Sequence, residues 1–306
     1  MRHSLLGGLA LISSLFIAGC GSDDKSAGGG TTTPPAPVAV SSSVVKGVID
    51  GGVVEAAQWQ GTAWVKVAEA ATNAAGGFSL QLPAETRGLL RLTLTLGDDD
   101  AAQMRCDAVA GCDGAAFGEL VPLTEAPGLV SWAEVQADGS VTVMPLTPLS
   151  TLVVRYAEAV GGRLDKLSLS FARQRLALLL GMTPEQLLAP AGDITSAVWV
   201  STTDASGLKV SLLSAGFAEM AAGQGSSINA LIDRYVVEFL ANDGRLLQAT
   251  FDDTPSLQAW LEAARNVAQQ LTTGDAETLI AQWQERIDSL QAYVLNTLPP
   301  MAGLNS

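Results

Sequence analysis

The chain has a single histidine, His3, in 306 residues. It has only three cysteines (Cys20, Cys106 and Cys112), and 17 Lys and Arg stand against 31 Asp and Glu, a net charge of −14. Each shortage excludes something. If the first residues are removed as a secretion signal, as argued below, no histidine remains. Ser-His and Cys-His nucleophilic catalysis and His-ligated zinc then drop out together. The acidic balance repels nucleic acid and anionic head groups, so a nucleic-acid role is not expected. Past the amino terminus no stretch approaches 18 continuous apolar residues, and the remainder is expected to be soluble. No phosphate-binding Gly-rich loop opens a helix after a strand, and no dinucleotide fingerprint is present. No cofactor is expected.

What is present begins with a signal. Arg2 is followed by an apolar run over positions 5–18, broken only by Gly7, Gly8, Ser13 and Ser14, and then by Ala18 and Gly19 before Cys20. These are the three parts of a secretory signal, 1–19. The run is about 14 residues, short of the roughly 20 that a spanning helix needs. Ile17-Ala18-Gly19-Cys20 resembles the lipobox of bacterial lipoproteins. The resemblance implies that Cys20 becomes the lipidated amino terminus and ties the protein to a membrane. An ordinary signal with an incidental cysteine is the alternative. Several acyl chains, each buried CH₂ contributing about 0.8 kcal/mol, make such an anchor nearly permanent. Asp directly after the lipidated cysteine favours inner-membrane retention in these lipoproteins. Gly21 stands there, which implies the outer membrane, although Asp23 and Asp24 lie close behind. Whether the protein faces the periplasm or the exterior is left open. Cleavage also removes Arg2 and takes the net charge to −15.

Residues 20–43 read as a disordered tether of Gly, Ser, Thr, Pro and Asp, stiffer at its Pro-rich end. Its r.m.s. reach is about 25 Å, and at most ~75 Å when extended. In an oxidising compartment Cys106 and Cys112, with five residues between them, are expected to form a local disulfide. Closing so short a loop stabilises by about 2 kcal/mol. A free reactive pair or metal site is the alternative, but further soft ligands are lacking.

The expected fold class is α+β, an antiparallel β-sandwich over 44–146 followed by an α-helical bundle over 147–298 and a tail, 299–306. Val44-Val45-Lys46-Gly47-Val48-Ile49 runs into a Gly turn; Trp64-Val65-Lys66-Val67, Phe78-Ser79-Leu80-Gln81-Leu82 and residues 90–96 alternate apolar and polar. A hairpin is expected over 129–144 with its turn at Asp138-Gly139. Period-two runs separated by Gly, Asn and Pro predict half-buried antiparallel strands, seven to nine in all.

Val45-Lys46-Gly47-Val48-Ile49, Trp64-Val65-Lys66-Val67 and Thr72-Asn73-Ala74-Ala75-Gly76-Gly77-Phe78-Ser79-Leu80 together resemble the carboxypeptidase regulatory-like (transthyretin-like) domain. The likeness covers about 55 residues and implies a fold without catalytic groups, hence no peptidase activity. Asn73 stands where that family usually has Asp, a departure that keeps the same turn-forming side-chain bonds. The stretch 106–123, with Phe117-Gly118 and Pro122-Leu123, is similar to the segment that follows such domains in some bacterial lipoproteins. Asp98, Asp99, Asp100, Asp107 and Asp113 fall within 16 residues. They are a weak Ca²⁺ candidate, since that ion takes six to eight oxygens. No calcium-loop spacing is present, and a solvated turn explains them as well.

After Met144 the period becomes 3.6. The apolar faces are Leu149, Leu152, Val153, Tyr156, Ala157 and Val160; Ile228, Leu231, Ile232, Tyr235, Val236 and Phe239; Leu257, Trp260, Leu261, Ala264, Ala268 and Leu271; and Ile280, Trp283, Ile287, Leu290 and Val294. Shorter helices are expected over 169–180, 184–188 and 207–222. Thr147-Pro148, Thr183-Pro184 and Thr254-Pro255 read as helix starts. Gly161-Gly162, Gly181, Gly244 and Gly274 read as stops. The aromatics Tyr156, Phe217, Tyr235, Phe239, Trp260 and Trp283 read as core before they read as a ligand groove.

Chemistry without histidine or a free thiol would rest on carboxylates, a Ser-Lys pair or an oxygen-bound metal. Ser22…Lys25 and Ser43…Lys46 match Ser-x-x-Lys without the partner motifs of a Ser-Lys hydrolase. Glu158, Glu219, Asp233, Glu238 and Glu262 supply carboxylates, but spacing singles out none. The expectation is therefore a membrane-anchored envelope lipoprotein with a non-catalytic binding or structural role, its partner another envelope protein or an extracellular polymer. The alternative is a saccharide-binding or carboxylate-based glycan-active protein.

Overall fold

The computed structural model describes residues 36–97, 102–246 and 255–271, with single positions between 276 and 288. Residues 1–35, including Cys20 and most of the expected tether, lie outside them. So do Asp98, Asp99 and Asp100, Thr254, and the face of Ile280, Trp283, Ile287, Leu290 and Val294.

The described strands make three antiparallel sheets. Five strands run in the order β10 (Val141–Val143), β9 (Val130–Val135), β6 (Gly88–Leu96), β3 (Gly52–Trp59), β4 (Trp64–Ala71). A second sheet pairs β1 (Val38–Ser43) with β5 (Gly77–Leu82), and a third joins β2 (Ile49–Asp50), β7 (Gln103–Arg105) and β8 (Leu120–Pro122). The alternation predicted for β5 and β6 is what they bury: Phe78, Leu80 and Leu82 on one, Leu90, Leu92 and Leu94 on the other. The hairpin β9–β10 turns at Asp138-Gly139 as expected, with Asp138 accepting from the Ser140 N–H at 2.9 Å.

Two differences from the sequence reading have physical causes. The tether was expected to reach Ser43, yet Val38–Ser43 is a strand. Its run of serines reads as linker, but Val40 is fully buried and β5 offers a six-residue register that satisfies the backbone. Strand β3 was unread because Glu55 and Ala57 dilute its alternation. It is nevertheless interior to the large sheet, with a bulge between Ala56 and Ala57 against β4.

Among the described residues six α-helices follow: α1 (Pro148–Gly161), α2 (Lys166–Leu179), α3 (Ala197–Thr202), α4 (Ala205–Gly223), α5 (Ile228–Ala241) and α6 (Leu257–Ala268). Thr147 caps α1, its Oγ1 accepting from the Ser150 N–H at 3.1 Å while Ser150 Oγ accepts from the Thr147 N–H at 2.9 Å. At Thr183 the expected helix shrinks to a 3₁₀ turn, Gln186–Leu188, with reciprocal bonds between Thr183 and Gln186. The last start lies two residues past Pro255, where Ser256 caps α6. Val160 is half-exposed and drops out of the first apolar face, whereas every residue named for α5 is buried. Helix α3 was not anticipated; Val198 is one of its exposed residues. Gly162, Gly181 and Gly244 follow α1, α2 and α5 in the left-handed region, where helix stops were expected.

The two parts join at a buried seam. Ser150 Oγ donates to the Val130 carbonyl at 2.8 Å, the Val130 N–H donates to Thr151 Oγ1 at 3.0 Å, and Thr151 Oγ1 donates to the Thr147 carbonyl at 2.8 Å. The first turn of α1 thereby takes over backbone groups at the start of β9. One continuous apolar core runs from the sheets into the helices, and the described residues from Ala36 onward fall in one compact unit. Its aromatic centre is Phe217, Tyr235 and Trp260, edge to face with ring centroids 4.5–5.8 Å apart. Trp260 Nε1 donates to the Leu213 carbonyl at 2.9 Å and the Tyr235 hydroxyl to the Ser256 carbonyl at 3.0 Å.

Thr151→Val keeps the shape of the seam and leaves the Val130 N–H without its acceptor. Denaturant unfolding is expected to show a loss of about 1–3 kcal/mol. A loss below a few tenths would mean that the seam does not bind the two parts.

Candidate functional site

The disulfide seats a loop against both the sheets and the helices. Cys106 and Cys112 are bonded, their Cα atoms 5.6 Å apart. The Cys106 N–H donates to Glu119 O and the Gly118 N–H to Cys106 O, both at 2.8 Å, so the loop returns beside its own start. Just past the disulfide ring, Cys112 and Ala115 exchange two further backbone bonds. On the far side Glu219, from α4, accepts from the Ala110 N–H at 3.1 Å.

Next to Cys106 stands Asp107, only 2% exposed. Its Oδ2 accepts from the Gly47 N–H at 2.5 Å. Gly47 has φ +58°, and a Cβ there would fall 1.8 Å from the Arg105 carbonyl oxygen, so only glycine fits. Asp107 Oδ1 is buried and takes no hydrogen bond. The neighbouring Lys46 is half-buried and donates to Met104 Sδ at 3.2 Å, a weak acceptor. Burial holds the Asp107 carboxyl above its ordinary range and Lys46 below its own; their mutual attraction opposes both shifts without overcoming them.

Lys46 and Met104 lie on the wall of a cleft of about 910 Å³. Its other walls are the disulfide loop, residues 122–127, the end of α4 and the start of α5. Phe117 and Ile228 give it apolar surface, and the exposed Asp113 and Glu125 also line it. Asn229, in the first turn of α5, reaches it as well, and its Oδ1 is buried without a hydrogen-bond partner. Gly128, at φ +59°, makes room for that amide, since a Cβ would lie 2.2 Å from Asn229 Oδ1.

The residues weighed from sequence fall differently. Of the five aspartates in the Ca²⁺ candidate, Asp107 is committed to Gly47 and Asp113 sits in an exposed turn at φ 46°; the other three lie outside the described residues. Among the described residues no group of three His, Cys, Asp or Glu is placed to hold a metal ion. The Ser43…Lys46 match is not a pair: Ser43 Oγ donates to the Ala191 carbonyl at 2.7 Å and Lys46 turns to Met104. Glu158 meets Arg91, Asp233 meets Arg155, Glu238 meets Asn242 and Glu262 meets Gln258, so these carboxylates are dispersed over different contacts. Of the aromatic stripe, Tyr156, Phe217, Tyr235, Phe239 and Trp260 are core. Asn73 makes the turn bonds expected of it, accepting from the N–H groups of Ala75 and Gly77 at 2.9 and 3.0 Å. Sequence reasoning missed the cleft because its walls come from segments more than 100 residues apart. The one local signal was a lysine set among Val44, Val45 and Val48. No protein-family model, characterised protein or solved structure matches the chain.

Folded Asp107 holds its proton more tightly than the unfolded chain does. Its ionisation therefore costs stability as pH rises through the folded value, and the cost is absent below the ordinary Asp range. Asp107→Asn keeps an oxygen for Gly47 and removes the charge. Its stability relative to the parent is expected to improve from about pH 3 to about pH 7, followed by denaturant unfolding. A difference that stays constant with pH would contradict the buried ionisation.

Proposed function

We propose that this chain is a lipid-anchored protein of the bacterial cell envelope, tethered through Cys20 and carrying a non-catalytic binding role. In this reading the strands form a carboxypeptidase regulatory-like sandwich and the helices a bundle packed on it. The outer membrane is the expected site, and the partner is an envelope protein or extracellular polymer. The observation that carries the binding role is the cleft beside the disulfide loop. It is of the size that takes small ligands or a polymer segment, roughly 300–1,000 Å³. Polar groups on it lack strong partners: the Lys46 ammonium has a thioether and Asn229 Oδ1 has nothing. Buried polar atoms left this way cost about 1–3 kcal/mol each, a cost that a bound partner removes. For the anchor the support is the run Ile17-Ala18-Gly19-Cys20 and the Gly- and Pro-rich stretch behind it. Among the described residues no helix is long and apolar enough to cross a membrane.

Membrane fractionation of cells making the full chain, with mass spectrometry of its amino terminus, tests the anchor. The expected result is a mature chain starting at an acylated Cys20 in the membrane fraction, and a Cys20→Ser chain that is released. A native chain found wholly in the soluble fraction, without lipid, overturns the anchor.

A further inference from the structure

Resting on the binding role proposed above, we infer that the cleft beside the disulfide loop is a site for a neutral saccharide, gripped by Lys46 and Asn229. The chemistry of the unsatisfied groups selects this class. Lys46 offers three N–H donors, and the hydrogen bond it makes is to the Met104 thioether, which is a poor acceptor. Asn229 Oδ1 is an acceptor with no donor. A ligand that satisfies both must accept and donate at short spacing, and a run of hydroxyls does both on every oxygen. Should the Asn229 amide be turned over, its NH₂ would stand in the same place and a hydroxyl would serve it equally.

Charged ligands fit less well. A carboxylate or phosphate brings only acceptors and would meet the carboxylates of Asp113 and Glu125 in the cleft, with Asp107 behind. An amine brings only donors and leaves the Lys46 N–H groups without an acceptor. Neutrality is what the mixed lining asks for. Phe117 and Ile228 supply the apolar surface on which the C–H face of a sugar ring rests. Lys46 is an unbranched chain held at its tip by sulfur, so its ammonium can turn to a ligand oxygen at the loss of one weak hydrogen bond.

Calorimetric titration of the purified full chain with maltotetraose and with chitotetraose tests the site, with trigalacturonate and spermidine as charged controls. At least one neutral tetrasaccharide is expected to bind more tightly than about 1 mM, and neither control to do so. Lys46→Met and Asn229→Ala, each with an unchanged melting temperature, are expected to weaken that binding at least tenfold. Should Lys46→Met fail to fold, Asn229→Ala decides alone. No binding of either tetrasaccharide, binding that both variants leave intact, or tighter binding of a charged control each overturns the saccharide site. The binding role itself survives that failure if a crosslinking pull-down from membranes recovers an envelope protein attached at the cleft, and falls with it if nothing is recovered.

Discussion

Three buried hydroxyls at the start of α1 fix how the two parts of this molecule meet. Thr147, Ser150 and Thr151 cap the helix and at the same time satisfy both backbone groups of Val130 at the head of β9. In water each such bond is worth only about 1 kcal/mol net, but leaving the same groups buried and unmade costs more. The chain therefore has one low-energy way to pass from sheet to helix. From that junction α1 packs on α2 and α5, and α5 begins at the cleft. The position of Asn229 relative to Lys46 is thus set by a contact with neither.

A second clamp acts from the sheet side. The disulfide brings Asp107 to the Gly47 amide and offers Ala110 to Glu219 on α4, so one short loop is bonded to the first strands and to the helices. Burying an aspartate for this purpose carries a desolvation penalty that Lys46 only partly offsets. Lys46, charged and beside it, lies on the cleft wall.

Much of the fold was legible because local periodicity and burial agree. Leu90, Leu92 and Leu94 alternate in sequence and are buried together; Ile228, Leu231, Ile232, Tyr235, Val236 and Phe239 recur every three or four residues and share one face of α5. The Cys106–Cys112 bond was expected from the spacing of the two cysteines together with the oxidising compartment that the signal implies. What was not legible lies where pairing rather than pattern decides. Val38–Ser43 is a strand because β5 accepts it, not because its serines favour one. The cleft is assembled by tertiary contacts among residues 46, 104, 117 and 229, and no local rule connects those positions. Of the five clustered aspartates, a weak Ca²⁺ candidate in the sequence, the described Asp107 is turned inward to Gly47, away from the exposed Asp113.

The most direct measurement is photocrosslinking in living cells from a benzophenone side chain placed at Phe117, inside the cleft, and at Leu167, on the exposed surface of α2. If the cleft is the working surface, Phe117 gives a discrete adduct that disappears with Asn229→Ala, and Leu167 gives none. A discrete adduct from Leu167 with none from Phe117 would contradict the account and move the functional surface to the helices.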